Sequence, residues 1–329
     1  MTQASATELV SVDIGGTHAR FALATVGQDG TITVEDPITL HTDDHASFQT
    51  AWEDFRAQKG GSIPDAVSLA IAGPITGEVI RFTNNPWVIR PSLVKEKLGV
   101  TRYSIVNDFE AVAHAVARAP EEQFLHLTGP DQPLAATGTL SVIGPGTGLG
   151  VAHLRRSADH YHVQATEGGH VDFAPVDSID DLILARLRKR HNRVSAERVV
   201  SGPGIVEIYQ ALGAMEKRAL PEIDDVEIWT RGMAGEDSLA AAAVDRFCLS
   251  LGSVAGDIAL VQGGFGGVAI AGGLGYRLRD ILPRSGFAER FRHKGRYEQL
   301  MASIPVKLIT HPQPGLFGAA AAFAREHLS

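Results

Sequence analysis

Apolar residues in this chain fall into short runs separated by stretches of helical period. A run from Leu9 reaches Asp13, turns at Gly15-Gly16, and resumes from Arg20 to Val26. Asp29-Gly30 is a second hairpin signal, leading into a strand from Ile32 to Leu40. Further strands are predicted at Ala66 to Ala72, Tyr103 to Val106, Leu140 to Ile143, Val268 to Ala271 and Val306 to Ile309. Helices are predicted between them, at Ser47 to Gln58, Phe109 to Arg118 and Ser178 to Arg190. This alternation predicts an α/β architecture with mixed sheets.

The turn after Asp13 joins two strands, so it is neither a Walker loop nor a dinucleotide fingerprint, both of which run from strand into helix. Glycine amides can still approach phosphate oxygens closely, because no Cβ intervenes. Asp13 can orient a Mg²⁺ ion through its waters, and Thr17 offers a hydroxyl. An ordinary tight turn is the alternative. A faint internal echo supports a special role. Ser11-Val12 followed by Gly16-Thr17 recurs as Ser141-Val142 followed by Gly146-Thr147 at the same spacing. Two such turns in two similar domains would clamp phosphate. The segment Gly144 to Gly150 fails the G-x-G-x-x-G pattern, because Leu149 stands at the third glycine. No long flexible linker is evident, and the best domain-boundary candidate is the polar, Pro- and Gly-bearing stretch from Pro120 to Gly138.

Composition narrows the partners. The 329 residues suffice for two domains, and 44% hydrophobic with 21% charged residues is ordinary for a globular chain. A net charge of −8 argues against nucleic acid or an anionic membrane as partner. The basic cluster Arg186, Arg188, Lys189, Arg190 and Arg193 closes a helix that opens with Ser178, Asp180 and Asp181, which complements the helix dipole. Met1 to Glu8 lacks the pattern of a signal peptide. Leu239 to Val261 is interrupted by Asp245, Arg246 and Asp257 and reads as a core helix. Cys248 is the single cysteine, so no disulfide or cysteine-rich zinc site forms within the chain, and its apolar neighbours predict a buried inert thiol. A cytoplasmic setting suits these features.

Several clusters have chemistry of their own. Asn107-Asp108 closes a strand, where a carboxylate faces ligands in α/β domains. Asn107 with Glu110 also resembles a capping box, which would leave Asp108 free for chemistry. Glu167-Gly-Gly-His170-Val-Asp172 places Glu167 and His170 beside two glycines, a set suited to the paired donors and acceptors of a polyol. A loop whose His170 only packs is the alternative, and zinc would need more ligands. Glu197, after Ser195, reads as a first-turn ion pair on local sequence alone. Gly272-Gly273, after the strand at Val268, can admit a flat adenine or ribose, or merely a close helix.

Together these motifs resemble the bacterial glucokinases of the hexokinase–actin–chaperone ATPase superfamily. The resemblance runs from Val10 to about Ala321. It rests on Asp13-Ile-Gly-Gly-Thr17 with Arg20, Ala72-Gly-Pro-Ile-Thr-Gly77, Thr83-Asn-Asn-Pro-Trp87 and Ile105-Val-Asn-Asp-Phe109. Gly146 to His153, Glu167-Gly-Gly-His-Val-Asp-Phe-Ala-Pro175, Val194 to Val199, Ser201-Gly-Pro-Gly204 and Ile270 to Gly273 complete it. The run from Glu167 to Pro175 is the part specific to this group.

The resemblance implies a two-domain actin-like or hexokinase-like ATPase fold with a cleft between the domains. The small domain would comprise residues 9–118 plus about 312–329, and the large domain 119–311. It implies ATP-dependent phosphorylation of glucose at its 6-hydroxyl, a step that feeds glycolysis, with ATP and Mg²⁺ required and a homodimer as the assembly. Asn107, Asp108, Glu167, His170 and Glu197 then correspond to glucose ligands, with Asp108 the catalytic base. Asp13, Ile14, Gly15, Gly16 and Thr17, with Gly146, Thr147 and Gly148, correspond to the ATP phosphate loops. Gly272 and Gly273 lie on the nucleoside side, and Asp13 would hold Mg²⁺ through water. His18 departs from the family, which usually carries Asn there, and puts a turn contact from this side chain in question. A kinase for another hexose, or a sugar-sensing or chaperone-like ATPase, are the other readings.

Overall fold

The computed structural model of the protein describes residues 6–82 and 85–328. Thr83 and Asn84 of the quoted Thr83–Trp87 motif lie outside the described residues. The chain divides into two units, Met1–Ala119 with His311–Ser329, and Pro120–Thr310.

The first unit is built on a hairpin. β1 (Thr7–Ile14) pairs antiparallel with β2 (His18–Val26), so that Asp13 faces Arg20 across the ladder. β3 (Ile32–Val34) and β4 (Ile38–His41) both pair with β2. The single strand expected over 32–40 is therefore split, because Pro37 has no N–H to give a ladder. On the far side of β1, β5 (Ala66–Ile71) and β8 (Arg102–Asn107) add in parallel. All six residues of β5 are buried, as a central parallel strand requires. A small ribbon, β6 (Ile80–Arg81) with β7 (Val88–Ile89), lies apart. The helix Phe48–Gln58, capped by Ser47 in a box with Thr50, packs its Trp52 and Phe55 with Phe21 of β2 into the core. The helices Asp108–Arg118 and Pro314–His327 approach so closely that a Cβ on Gly318 would strike the Ala111 carbonyl.

The second unit repeats this plan. β10 (Gly138–Pro145) forms an antiparallel hairpin with β11 (Leu149–Arg156), and β12 (Tyr161–Thr166) adds antiparallel to β11. β13 (Val268–Ile270) and β14 (Val306–Ile309) add in parallel beyond β10. Both sheets therefore run antiparallel outer strands, hairpin, then two parallel strands. The Ser-Val…Gly-Thr echo falls on β1 and β10, each the first strand of its hairpin. β9 (Phe124–Thr128), inside the stretch 120–138, closes the second sheet on β14.

The helix Ser238–Gln262 is long and apolar enough to cross a membrane, yet 72% of its apolar window is buried. It serves as the core of the second unit, packed by Trp229, Phe287 and Phe291. Cys248 on it is fully buried, and burial pushes its thiol up to about 12. The basic-tailed helix is Ser178–Arg188, with Asp177 as its cap. Asp177 and buried Asp180 also pair with Arg246 and Arg290, which ties that helix to its neighbours.

Candidate active site

In the first unit, candidate residues collect at the carboxyl ends of β1 and β8, which flank β5. The turn Gly15–Thr17 is closed by the Gly15 N–H donating to the His18 carbonyl at 2.9 Å. The Gly16 carbonyl accepts from Thr42 Oγ1 at 2.8 Å, and the Thr17 carbonyl from the Thr42 N–H at 3.0 Å. Two oxygens that would repel phosphate are thus tied back to Thr42, a residue without any sequence signal. Thr17 is exposed at the tip. Ile14 is fully buried, so only its backbone can serve a ligand. His18 does reach the turn: its Nδ1 lies 2.9 Å from Thr17 Oγ1, and its ring sits 4.4 Å from that of His41.

Asp13 pairs with Arg20 at 3.2 Å. Its carboxylate lies against the start of the Pro314–His327 helix, where a Cβ on Gly315 would come within 2.9 Å of Oδ2. Burial raises the Asp13 pKa, and the Arg20 charge only partly opposes this. A desolvated carboxylate with one cationic partner suits a hard cation, and Mg²⁺ is commonly held by one or two carboxylates together with substrate phosphates. The residue therefore fits the expected ion.

Asn107 and Asp108 open the helix Asp108–Arg118. Asn107 Oδ1 accepts from the N–H groups of Phe109 (2.9 Å) and Glu110 (3.2 Å), and Glu110 reaches back to complete the capping box. Asn107 Nδ2 donates to the Gly73 carbonyl at 3.1 Å. Asp108 Oδ1 accepts from the Phe109 N–H at 2.9 Å. Burial raises the Asp108 pKa to about 6; the Phe109 bond opposes this and the neighbouring Asp13 charge adds to it.

In the second unit, the turn Gly146–Gly148 is pinned from both sides. The Gly146 N–H donates to the Gly148 carbonyl at 2.8 Å, and the Gly146 carbonyl accepts from the Gly202 N–H at 2.7 Å. Thr147 is exposed at the tip, as Thr17 is in the first unit. Gly272 has φ +80° and abuts the end of β10, where a Cβ would lie 2.7 Å from the Pro145 carbonyl. Beside it a Cβ on Gly273 would meet nothing within 4 Å, so this glycine faces open space.

Glu167, His170 and Glu197 come together at the start of β11. The short helix Gly168–His170 lies on that strand: Gly169 abuts the Leu149 carbonyl, and a Cβ on Gly168 would sit 2.8 Å from Val151 Cγ1. Only glycine fits there. A bridge between Asp172 and Ser195, with Ala196 N–H donating to the Val171 carbonyl at 2.8 Å, brings the Glu197 segment alongside. Arg193 locks the pair by donating to the His170 carbonyl at 2.8 Å and pairing with Asp172 at 2.6 Å. Glu167 and His170 are exposed, 3.8 Å apart at Oε2 and Nε2. Glu197 is not a surface ion pair. Its Oε2 accepts from the Leu149 N–H at 2.9 Å, and Ser195 makes no side-chain cap. Neither Arg193 nor Gly202 was singled out as a site residue by sequence.

A glucokinase family profile matches residues 10–326. The chain is 52% identical to a glucokinase of Zymomonas mobilis over 97% of this chain and 98% of that protein. It is 41% identical to a glucokinase of Caulobacter vibrioides over 95% of this chain and 94% of that one. The crystal structure of a glucokinase from an Antarctic psychrotroph superposes with TM-score 0.85 at 35% identity, covering 98% of this chain and 99% of that one.

Proposed function

The chain belongs to the glucokinase family, and from that premise we propose that it transfers the γ-phosphoryl group of ATP to the 6-hydroxyl of glucose. The observation that carries this reading is the gathering of Glu167, His170 and Glu197 on the strand that leaves the Gly146–Gly148 turn. Two carboxylates and an imidazole offer the mixed acceptors and donors that a ring of hydroxyls needs. A glycine turn beside them brings phosphate near that sugar.

Asp108 is the base in this reading. Oδ1 is engaged by the Phe109 N–H, so Oδ2 takes the proton as the 6-oxygen attacks phosphorus. A pKa near 6 keeps Asp108 ionised at neutral pH while making it a better base than an ordinary carboxylate. Asn107 fixes the helix start and so aims Asp108. Each glycine turn offers backbone amides suited to phosphate oxygens, with competing carbonyls tied to Thr42 in the first unit and to Gly202 in the second. Asp13 would hold Mg²⁺, which when bound offsets charge on the phosphates.

ATP turnover measured with and without glucose, mannose and N-acetylglucosamine tests this. ADP release that rises strongly with glucose supports it. Hexose-indifferent turnover would favour the sensor or chaperone-like ATPase, and preference for another sugar would move the substrate.

A further inference from the structure

Glu197 does more in this fold than face a sugar. Its Oε2 accepts from the Leu149 N–H at 2.9 Å, where the Gly146–Gly148 turn passes into β11. A Cβ on Gly148 would lie 2.5 Å from that same oxygen, so the carboxylate fills the space beside the turn. Five residues on, the Gly202 N–H holds the Gly146 carbonyl at 2.7 Å, and the Gly202 carbonyl is held by Trp229 Nε1 at 3.0 Å. One short segment thus grips the turn at both ends, with Glu197 at the exit and Gly202 at the entry. The segment is itself fixed by the Ala196-to-Val171 bond at 2.8 Å.

We infer that Glu197 is a positioning residue for nucleotide, its carboxylate seating the Gly146–Gly148 turn in the shape that receives phosphate. This rests on the reading of that turn as a phosphate site. A bond of this kind holds the Leu149 amide away from the ligand and fixes the backbone on either side. Glu197 has a second oxygen, so holding the turn through Oε2 does not prevent Oε1 from taking a sugar hydroxyl. Nucleotide affinity should therefore depend on Glu197 even when no sugar is present.

Two conservative variants test this by calorimetry, using Mg²⁺ and a non-hydrolysable ATP analogue without sugar. Glu197→Asp keeps the charge but is one methylene too short to reach Leu149. Glu197→Gln keeps the reach and an accepting oxygen but loses the charge. The inference predicts about tenfold weaker nucleotide binding for the Asp variant and a change within about threefold for Gln. Unchanged binding in the Asp variant would overturn it, as would equal weakening in both. Failure of the wild-type protein itself to bind the analogue would instead remove the phosphate-site reading on which the inference stands.

Discussion

Replacing Asp108 by Asn separates a catalytic base from a structural carboxylate, because the two readings move different observables in opposite directions. Asn keeps the size of the side chain and an oxygen that can accept from the Phe109 N–H, now 2.9 Å from Oδ1. It cannot take a proton. Loss of a positioned base costs about 10²–10⁴ in rate, or about 3–5 kcal/mol of barrier. Stability responds the other way. Burial raises the Asp108 pKa from 3.8 to about 6. At about 1.36 kcal/mol per pH unit, ionising Asp108 in the fold costs up to ~3 kcal/mol more than ionising it in the unfolded chain. A raised pKa means that this stability is present below about pH 4 and is lost as pH rises through about 6. Asn never ionises and so escapes the loss. Removing a negative charge from the first helical turn gives back about 0.3–1 kcal/mol. The net expectation at about pH 8 is a variant up to ~2–3 kcal/mol more stable than wild type, which is a melting temperature higher by several degrees. Wild-type kcat/KM should fall below about pH 6 with Asp108 protonation, and the residual rate of the Asn variant should lack that limb. The assays are a coupled ADP assay across pH and thermal melting at about pH 4 and about pH 8. Near-wild-type turnover with a lowered melting temperature at about pH 8 would refute the base assignment and the burial argument together.

Two other outcomes follow from the same physics. Arg290→Met should destabilise the protein by about 3 kcal/mol in denaturant unfolding, since Asp180, with a 3% exposed side chain, would keep only Arg246 as an ionic partner; a loss below about 1 kcal/mol would show the network to be dispensable. Cys248 should resist iodoacetamide in the folded protein, because the thiol is buried and its pKa is pushed up to about 12; rapid labelling without loss of structure, read by mass spectrometry, would contradict that burial.

Much of the fold was legible because local signals agreed with tertiary ones. The two glycine turns were visible as breaks between apolar runs, and both lie between antiparallel strands. The helix read over 47–58, whose first residue proves to be its cap, the Asn107–Glu110 box and the core helix read over 239–261 are also legible in residue type and period. Pro37 divides β3 from β4, a break that the apolar pattern over 32–40 does not reveal. β9 escaped because its five residues stand between polar, Pro- and Gly-bearing segments that carry loop signals. The site was harder to read, since its construction is non-local. Glu197 looks like a surface residue until the Asp172–Ser195 bridge and the Leu149 amide are seen. The supports from Thr42, Arg193, Gly202 and Trp229 belong to segments far away in sequence. Gly315 carries only a helix-start signal from Pro314, with nothing to reveal that it makes room for Asp13.

The central claim is phosphoryl transfer from ATP to the 6-oxygen of glucose, and identifying the product by NMR tests it most directly. Protein, Mg²⁺, ATP and glucose should yield ADP and glucose 6-phosphate in equal amounts, with phosphorus coupled to the protons on the sugar's sixth carbon. ADP with free phosphate and unchanged glucose, or phosphate on a different hydroxyl, would contradict the account.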